Sequence, residues 1–226
     1  MLAFWQNFYP KPILISLGFI NIYWYGLLVS FAILAGFYLF KVLAQKRGLA
    51  EEHIYNLSFY LIIFGLIGGR VGHVFFYNWS YFKLHLSEII QVWHGGMAIL
   101  GAILAGLVVL IVYVKKNKLS FWLVADCLAV VLPLSQAIGR FGNYFNQELF
   151  GHPCNYFWCI PVDYVNRPEI FSSSVYFQPL FLFEAIFSIV LFLVLLRLFK
   201  QERLAPGLLF FSYLMVYSAI RFLWSF

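Results

Sequence analysis

Charge is what this chain has least of. Lysine, arginine, aspartate and glutamate make up 11% of its 226 residues, against about a quarter in a water-soluble domain. That shortage excludes an ordinary soluble exterior. Three cysteines and five scattered histidines give no paired spacing that would frame a zinc site. No Gly-x-Ser-x-Gly elbow and no P-loop occurs, so neither of those catalytic frameworks is present. No internal repeat supports a transporter built from two related halves. No basic patch with interleaved aromatics points to a nucleic-acid partner. The first residues lack a basic n-region and a small-residue cleavage site, and Pro10 and Pro12 interrupt them. Residues 1–20 therefore read as an interfacial segment rather than a cleaved leader.

What is abundant is apolar. Hydrophobic residues make up 63% of the chain, in recurring runs long enough to cross a hydrocarbon core of about 30 Å. The runs fall at about 22–40, 54–77, 97–114, 121–138, 179–199 and 207–226. They predict an all-α polytopic membrane protein with about six transmembrane helices, forming one membrane-embedded domain over 1–226. The segment 139–178, rich in Asn, Tyr, Trp and Pro, predicts a small extracytoplasmic head. Lys41, Lys46 and Arg47 follow the first run, Lys115, Lys116 and Lys118 the third, and Arg197, Lys200 and Arg203 surround the turn after the fifth. Basic loops face the cytoplasm, so the N-terminus is expected outside. In the head, Cys154 and Cys159 are spaced for a local disulfide or stand as two free thiols.

Three basic residues stand apart from the loops: Arg70, Arg140 and Arg221. Helical rise places each within about 10 Å of the outer hydrocarbon boundary. An arginine at that depth either snorkels to the interface or faces protein and a partner. A guanidinium grips phosphate with two parallel hydrogen bonds and keeps its charge, so arginines sharing a depth fit a phospholipid head group. Around them lie further polar groups. "GRFGNYFNQELFG" at 139–151 places Arg140, Asn143 and Gln147 on one face if helical, flanked by Asn146 and Glu148. His94 precedes Gly95 and Gly96, a pair that permits a tight or re-entrant turn. Gly65, Gly68, Gly69 and Gly72 form overlapping small-residue pairs suited to helix packing. Glu184, near the outer start of the fifth run, is a candidate counter-ion for an arginine or a direct catalytic group.

These blocks resemble the phosphatidylglycerol–prolipoprotein diacylglyceryl transferases of bacterial inner membranes. The 139–151 stretch is similar to that family's signature. "WYGLL" at 24–28, "GGRVGHVFFYNWSYF" at 68–82, "WHGGMAILGA" at 93–102, "QPLFLFEA" at 178–185 and "SAIRF" at 218–222 agree in order. The resemblance implies transfer of a diacylglyceryl group from phosphatidylglycerol to the lipobox cysteine of preprolipoproteins, with glycerol phosphate released and no metal or organic cofactor. It implies essential roles for Arg140 and Arg221, signature roles for Asn143, Glu148 and Gly151, and a role for Tyr25. Read with the charge argument, Arg140, Arg221, His94 and Glu148 are the candidate catalytic residues. Tyr25, Arg70, Asn143, Asn146, Gly95, Gly96 and Gly151 are the candidate substrate-binding ones. The sequence also departs from the family. Leu100 occupies the place of a His or Tyr, a proposed base. Ser225 replaces a Glu, Gln178 replaces a His, and the chain stops where a seventh span would follow. These departures leave open an alternative, a non-catalytic phospholipid-binding or accessory homologue.

Overall fold

The structure is a computed structural model describing residues 4–18, 21–92, 95–201 and 204–223. It is mostly helical. Five helical segments are long and apolar enough to cross a membrane: Trp24–Lys46, Glu51–Tyr77, Ile99–Lys116, Phe121–Phe145 and Leu180–Phe199. A shorter apolar helix spans Leu208–Leu223. The expected spans thus appear in order, the sixth as a 16-residue helix.

The elements in chain order are α1 (Phe4–Asn7), β1 (Ile13–Ser16), β2 (Asn21–Tyr23), α2 (Trp24–Lys46), α3 (Glu51–Gly72), α4 (Trp79–Phe82), α5 (Ile99–Lys116), α6 (Phe121–Phe145), β3 (Ile160–Pro161), β4 (Tyr176–Phe177), α7 (Leu180–Phe199) and α8 (Leu208–Leu223). A π turn, His73–Tyr77, prolongs α3. The chain forms two compact units. One comprises 1–39 and 128–226, and the other 40–127.

In the 40–127 unit, α3 and α5 pack through residues without bulk. A Cβ on Gly68 would lie 2.6 Å from the Gly101 carbonyl oxygen, and one on Gly72 would lie 3.0 Å from Gly101 Cα. Only glycine permits that approach, the small-residue packing that membrane helices use in place of a hydrophobic drive. Gly65 takes no part, because nothing lies within 4 Å of its added Cβ. Glu51 and Glu52 open α3, and Lys115 and Lys116 close α5; both placements suit the helix dipole.

In the other unit, β1 and β2 form an antiparallel pair leading into α2. Trp24 stacks on Phe145 with ring centroids 4.5 Å apart. Helix α6 runs through Pro133 to Phe145, so residues 139–145 are its final turns rather than part of a separate head. Beyond it, Gln147 and Leu149 adopt φ of 54° and 55°, turning the chain into a loop with a two-residue ladder between β3 and β4. Cys154 and Cys159 are joined there by a disulfide.

Candidate active site

Glu184 is the centre of the polar cluster in the first unit. It sits in the first turns of α7 and is 4% exposed. A carboxylate so buried needs paired charge to be tolerated, and it has two cations. Arg221 Nη1 of α8 donates to its Oε1 at 2.6 Å, and Arg140 Nε of α6 lies 2.7 Å from its Oε2. The second contact is an ion contact rather than an aligned hydrogen bond. The two guanidiniums share one carboxylate, so this trio carries net positive charge.

From Arg140 the polar chain continues outward. Arg140 Nη1 donates to Asn143 Oδ1 at 3.4 Å, one helical turn along. Asn143 Nδ2 donates to Glu148 Oε2 at 3.1 Å, and Asn146 Nδ2 to Glu148 Oε1 at 3.2 Å. Two side-chain amides therefore hold an exposed carboxylate in one orientation. Tyr25 is placed by a missing side chain, since a Cβ on Gly142 would come within 2.8 Å of its ring. Gly151 is covered by Gln178, whose carbonyl accepts from the Gly151 N–H at 2.9 Å.

Gln147 leaves this face. Its positive φ turns it inward, where it is buried. Its Nε2 donates to Pro10 O at 2.9 Å and to Asp163 Oδ2 at 2.6 Å; its Oε1 accepts from Asp163 N at 2.6 Å and Asn166 Nδ2 at 3.3 Å. Every donor and acceptor of the amide is used. The helical face expected for Arg140, Asn143 and Gln147 thus ends at Asn143, and Gln147 joins the N-terminal segment to the loop after α6.

The polar cluster of the second unit is built on Arg70, which is buried. Its Nε donates to Ile89 O at 2.8 Å, Nη1 to the carbonyls of Gly95 and Gly96, and Nη2 to those of Glu88 and Gln91. All five guanidinium N–H donors have carbonyl partners. The expectation that Arg70 meets a phosphate directly is not what this geometry offers, because its donors already hold the 88–96 loop. Gly95 and Gly96, at φ of 83° and 77°, make the tight turn their sequence predicted. A Cβ on Gly96 would strike His73 Nε2 at 2.5 Å and Arg70 Nη1 at 2.9 Å. His73, Phe82 and Glu88 complete a cavity of about 310 Å³ there. Tyr81 donates to Glu88 Oε2 at 2.9 Å; that hydrogen bond, with some burial, raises the phenol above its ordinary pKa.

The profile of the prolipoprotein diacylglyceryl transferases matches residues 12–226. The chain belongs to that family. A phosphatidylglycerol–prolipoprotein diacylglyceryl transferase of Thermosynechococcus vestitus is 41% identical over 209 residues, covering 92% of this chain and 78% of the relative. One of Trichormus variabilis is 40% identical over 220 residues, covering 95% and 77%.

Within this transferase scaffold, Tyr25, Arg140, Asn143, Asn146, Glu148, Gly151 and Arg221 all belong to the first unit, while Arg70, Gly95 and Gly96 belong to the second. Leu100, where the family resemblance leads one to expect His or Tyr, is 52% exposed in the first turn of α5. His94 and Ser225 lie outside the described residues. No local pattern signals that both arginines share Glu184, since its partners lie 44 and 37 positions away.

Proposed function

We infer that this chain transfers the diacylglyceryl group of phosphatidylglycerol to the lipobox cysteine thiol of preprolipoproteins. A thioether forms and glycerol phosphate leaves. The observation that carries the reading is the family match over residues 12–226, with the paired arginines and their carboxylate intact inside it.

The chemistry is a displacement at carbon. The thiolate, the nucleophilic form of cysteine, attacks the glyceryl carbon. The C–O bond to phosphate breaks, and its electron pair leaves on the phosphate oxygen. Holding donor and acceptor in line supplies much of the acceleration, and the rest lies in stabilising the leaving phosphate. Arg140 and Arg221 are the proposed phosphate ligands, set in orientation by Glu184. Tyr25, Asn143, Asn146 and Gly151 are proposed to line the substrate site, and Glu148 or His94 to accept the thiol proton. Arg70, Gly95 and Gly96 act in this reading by fixing the 88–96 loop. The displacement requires no metal or organic cofactor. The protein is proposed to lie in the bacterial cytoplasmic membrane with its N-terminus outside, since nine of its 15 basic residues cluster at the helix ends and turns assigned to the cytoplasm.

Leu100 favours a second reading, a non-catalytic phospholipid-binding homologue, because leucine cannot take a proton. Reconstitution in phosphatidylglycerol vesicles with a lipobox peptide separates the two. The enzyme reading expects glycerol phosphate release that falls at least about 100-fold in Arg140→Ala and Arg221→Ala, each having lost a charge-assisted contact to the leaving group. Wild-type release from both variants would remove the arginines from the reaction.

A further inference from the structure

The packing of α3 against α5 changes along its length. At the Gly68–Gly101 crossing the backbones touch. Nearer the start of α3 and the end of α5, the facing residues are large, and a cleft of about 690 Å³ opens between the two helices. Its lining is graded. Phe64, Leu104, Val108, Val109 and Val112 line the part nearest the crossing. Glu52, His53, Asn56, Lys116 and Asn117 line the other end. Tyr60 and Tyr113 stand between, with ring centroids 6.0 Å apart. Leu104 to Lys116 spans about 18 Å of helix, the reach of a long acyl chain.

The apolar part opens sideways. Phe64, Leu104, Val108 and Val112 are 45%, 49%, 61% and 58% exposed on helices suited to crossing a membrane, where a bilayer would set hydrocarbon against them. The polar end is ordered. His53 Nδ1 lies 3.1 Å from Tyr113 Oη, and Asn117 Nδ2 donates to Tyr113 O at 2.9 Å. Its lining carries Glu52 and Lys116, and Lys115 and Lys118 flank Lys116 in the chain, while Lys41 pairs with Glu51 at 2.6 Å.

We propose that this cleft binds an anionic phospholipid, with one acyl chain between α3 and α5 and the phosphate at Lys116 and Asn117. The assignment of that lipid to the inner leaflet rests on the orientation proposed above; the cleft itself does not depend on the transfer reaction. Small residues at the crossing close one end of the cleft, and the tyrosines mark the depth of the glycerol ester. The lipid fills space that side chains leave empty.

The test uses the full chain in phosphatidylcholine vesicles containing a minor share of phosphatidylglycerol with a photoreactive group at the end of one acyl chain. Irradiation is expected to attach lipid to peptides carrying Phe64, Leu104 or Val108. Lys116→Gln, which removes one interfacial charge, should lower that attachment about fivefold. Val109→Trp, which fills the cleft, should lower it at least as far. Glycerol phosphate release is measured in parallel and should change less than about fourfold, one CH₂-sized binding effect being the allowance. Absence of attachment at these helices, or attachment indifferent to both variants, overturns the proposal. Equal attachment of a photoreactive phosphatidylcholine overturns the anionic preference. Loss of release in the wild type speaks against the transferase reading alone. Labelling of Lys118→Cys by an impermeant maleimide in intact and opened cells tests the leaflet separately.

Discussion

Glu184→Gln removes a charge while keeping nearly all the volume of the side chain. In the wild type, each carboxylate oxygen faces a guanidinium nitrogen, at 2.6 Å and 2.7 Å. An amide has one acceptor oxygen, so its NH₂ must face an arginine donor on the other side. One arginine contact breaks, and two cations remain with no carboxylate between them. Breaking a buried ion pair costs about 3–5 kcal/mol. Arg221 is 45% exposed and Arg140 21% exposed, so water screens part of that loss; the lower end, about 3 kcal/mol, is the reasonable figure. If the arginines stabilise the leaving phosphate, that energy appears in the transition state, and kcat/KM falls about 150-fold. Thermal unfolding should show a smaller loss, because the freed arginine can turn to water. The assay is glycerol phosphate release in vesicles, with melting followed on the same preparation. A variant that releases product within about threefold of wild type, a difference of under 1 kcal/mol, would refute the view that Glu184 sets the arginine pair.

Four further outcomes follow from the packing and the polar hubs. Arg70→Lys keeps the charge but loses the five-donor fork, so the 88–96 loop should be cut faster by protease and transfer should fall with it. Gly101→Val should destabilise the α3–α5 pair by at least about 3 kcal/mol through overpacking. Gly106→Val, whose Cβ would meet only Leu61 Cδ2 at 3.9 Å, should melt within about 1 kcal/mol of wild type. Gln147→Ala removes four hydrogen bonds to Pro10, Asp163 and Asn166 and leaves polar groups unpaired, costing about 2–4 kcal/mol, read as a lower melting temperature.

The spans were legible because lipid demands long apolar runs, and the observed helices follow those runs. The Gly68–Gly72 stripe was legible for the same reason, since close helix approach needs glycine at helical spacing. Gly95 and Gly96 were legible as a turn because only glycine takes their φ readily. What the residues did not announce depends on distant partners. Arg70 looked like a phosphate ligand, and only the fold brings the carbonyls of residues 88–96 onto its five donors. Gln147 looked helical, and the left-handed turn that redirects it occurs at a residue type with no strong preference for that conformation. The polar ending of α6 read as a head, because Asn143 and its neighbours resemble loop residues, yet their side chains bond one another and Glu148 while the backbone stays helical to Phe145.

A transferase of this sequence must perform the transfer with leucine at position 100. The direct measurement is the mass of a lipobox peptide incubated with the purified protein in phosphatidylglycerol vesicles. The expected product is a peptide heavier by one diacylglyceryl group, attached at cysteine through a thioether, with glycerol phosphate released in equal amount. An unmodified peptide, from folded protein that still binds phosphatidylglycerol, would contradict it and leave a lipid-binding homologue.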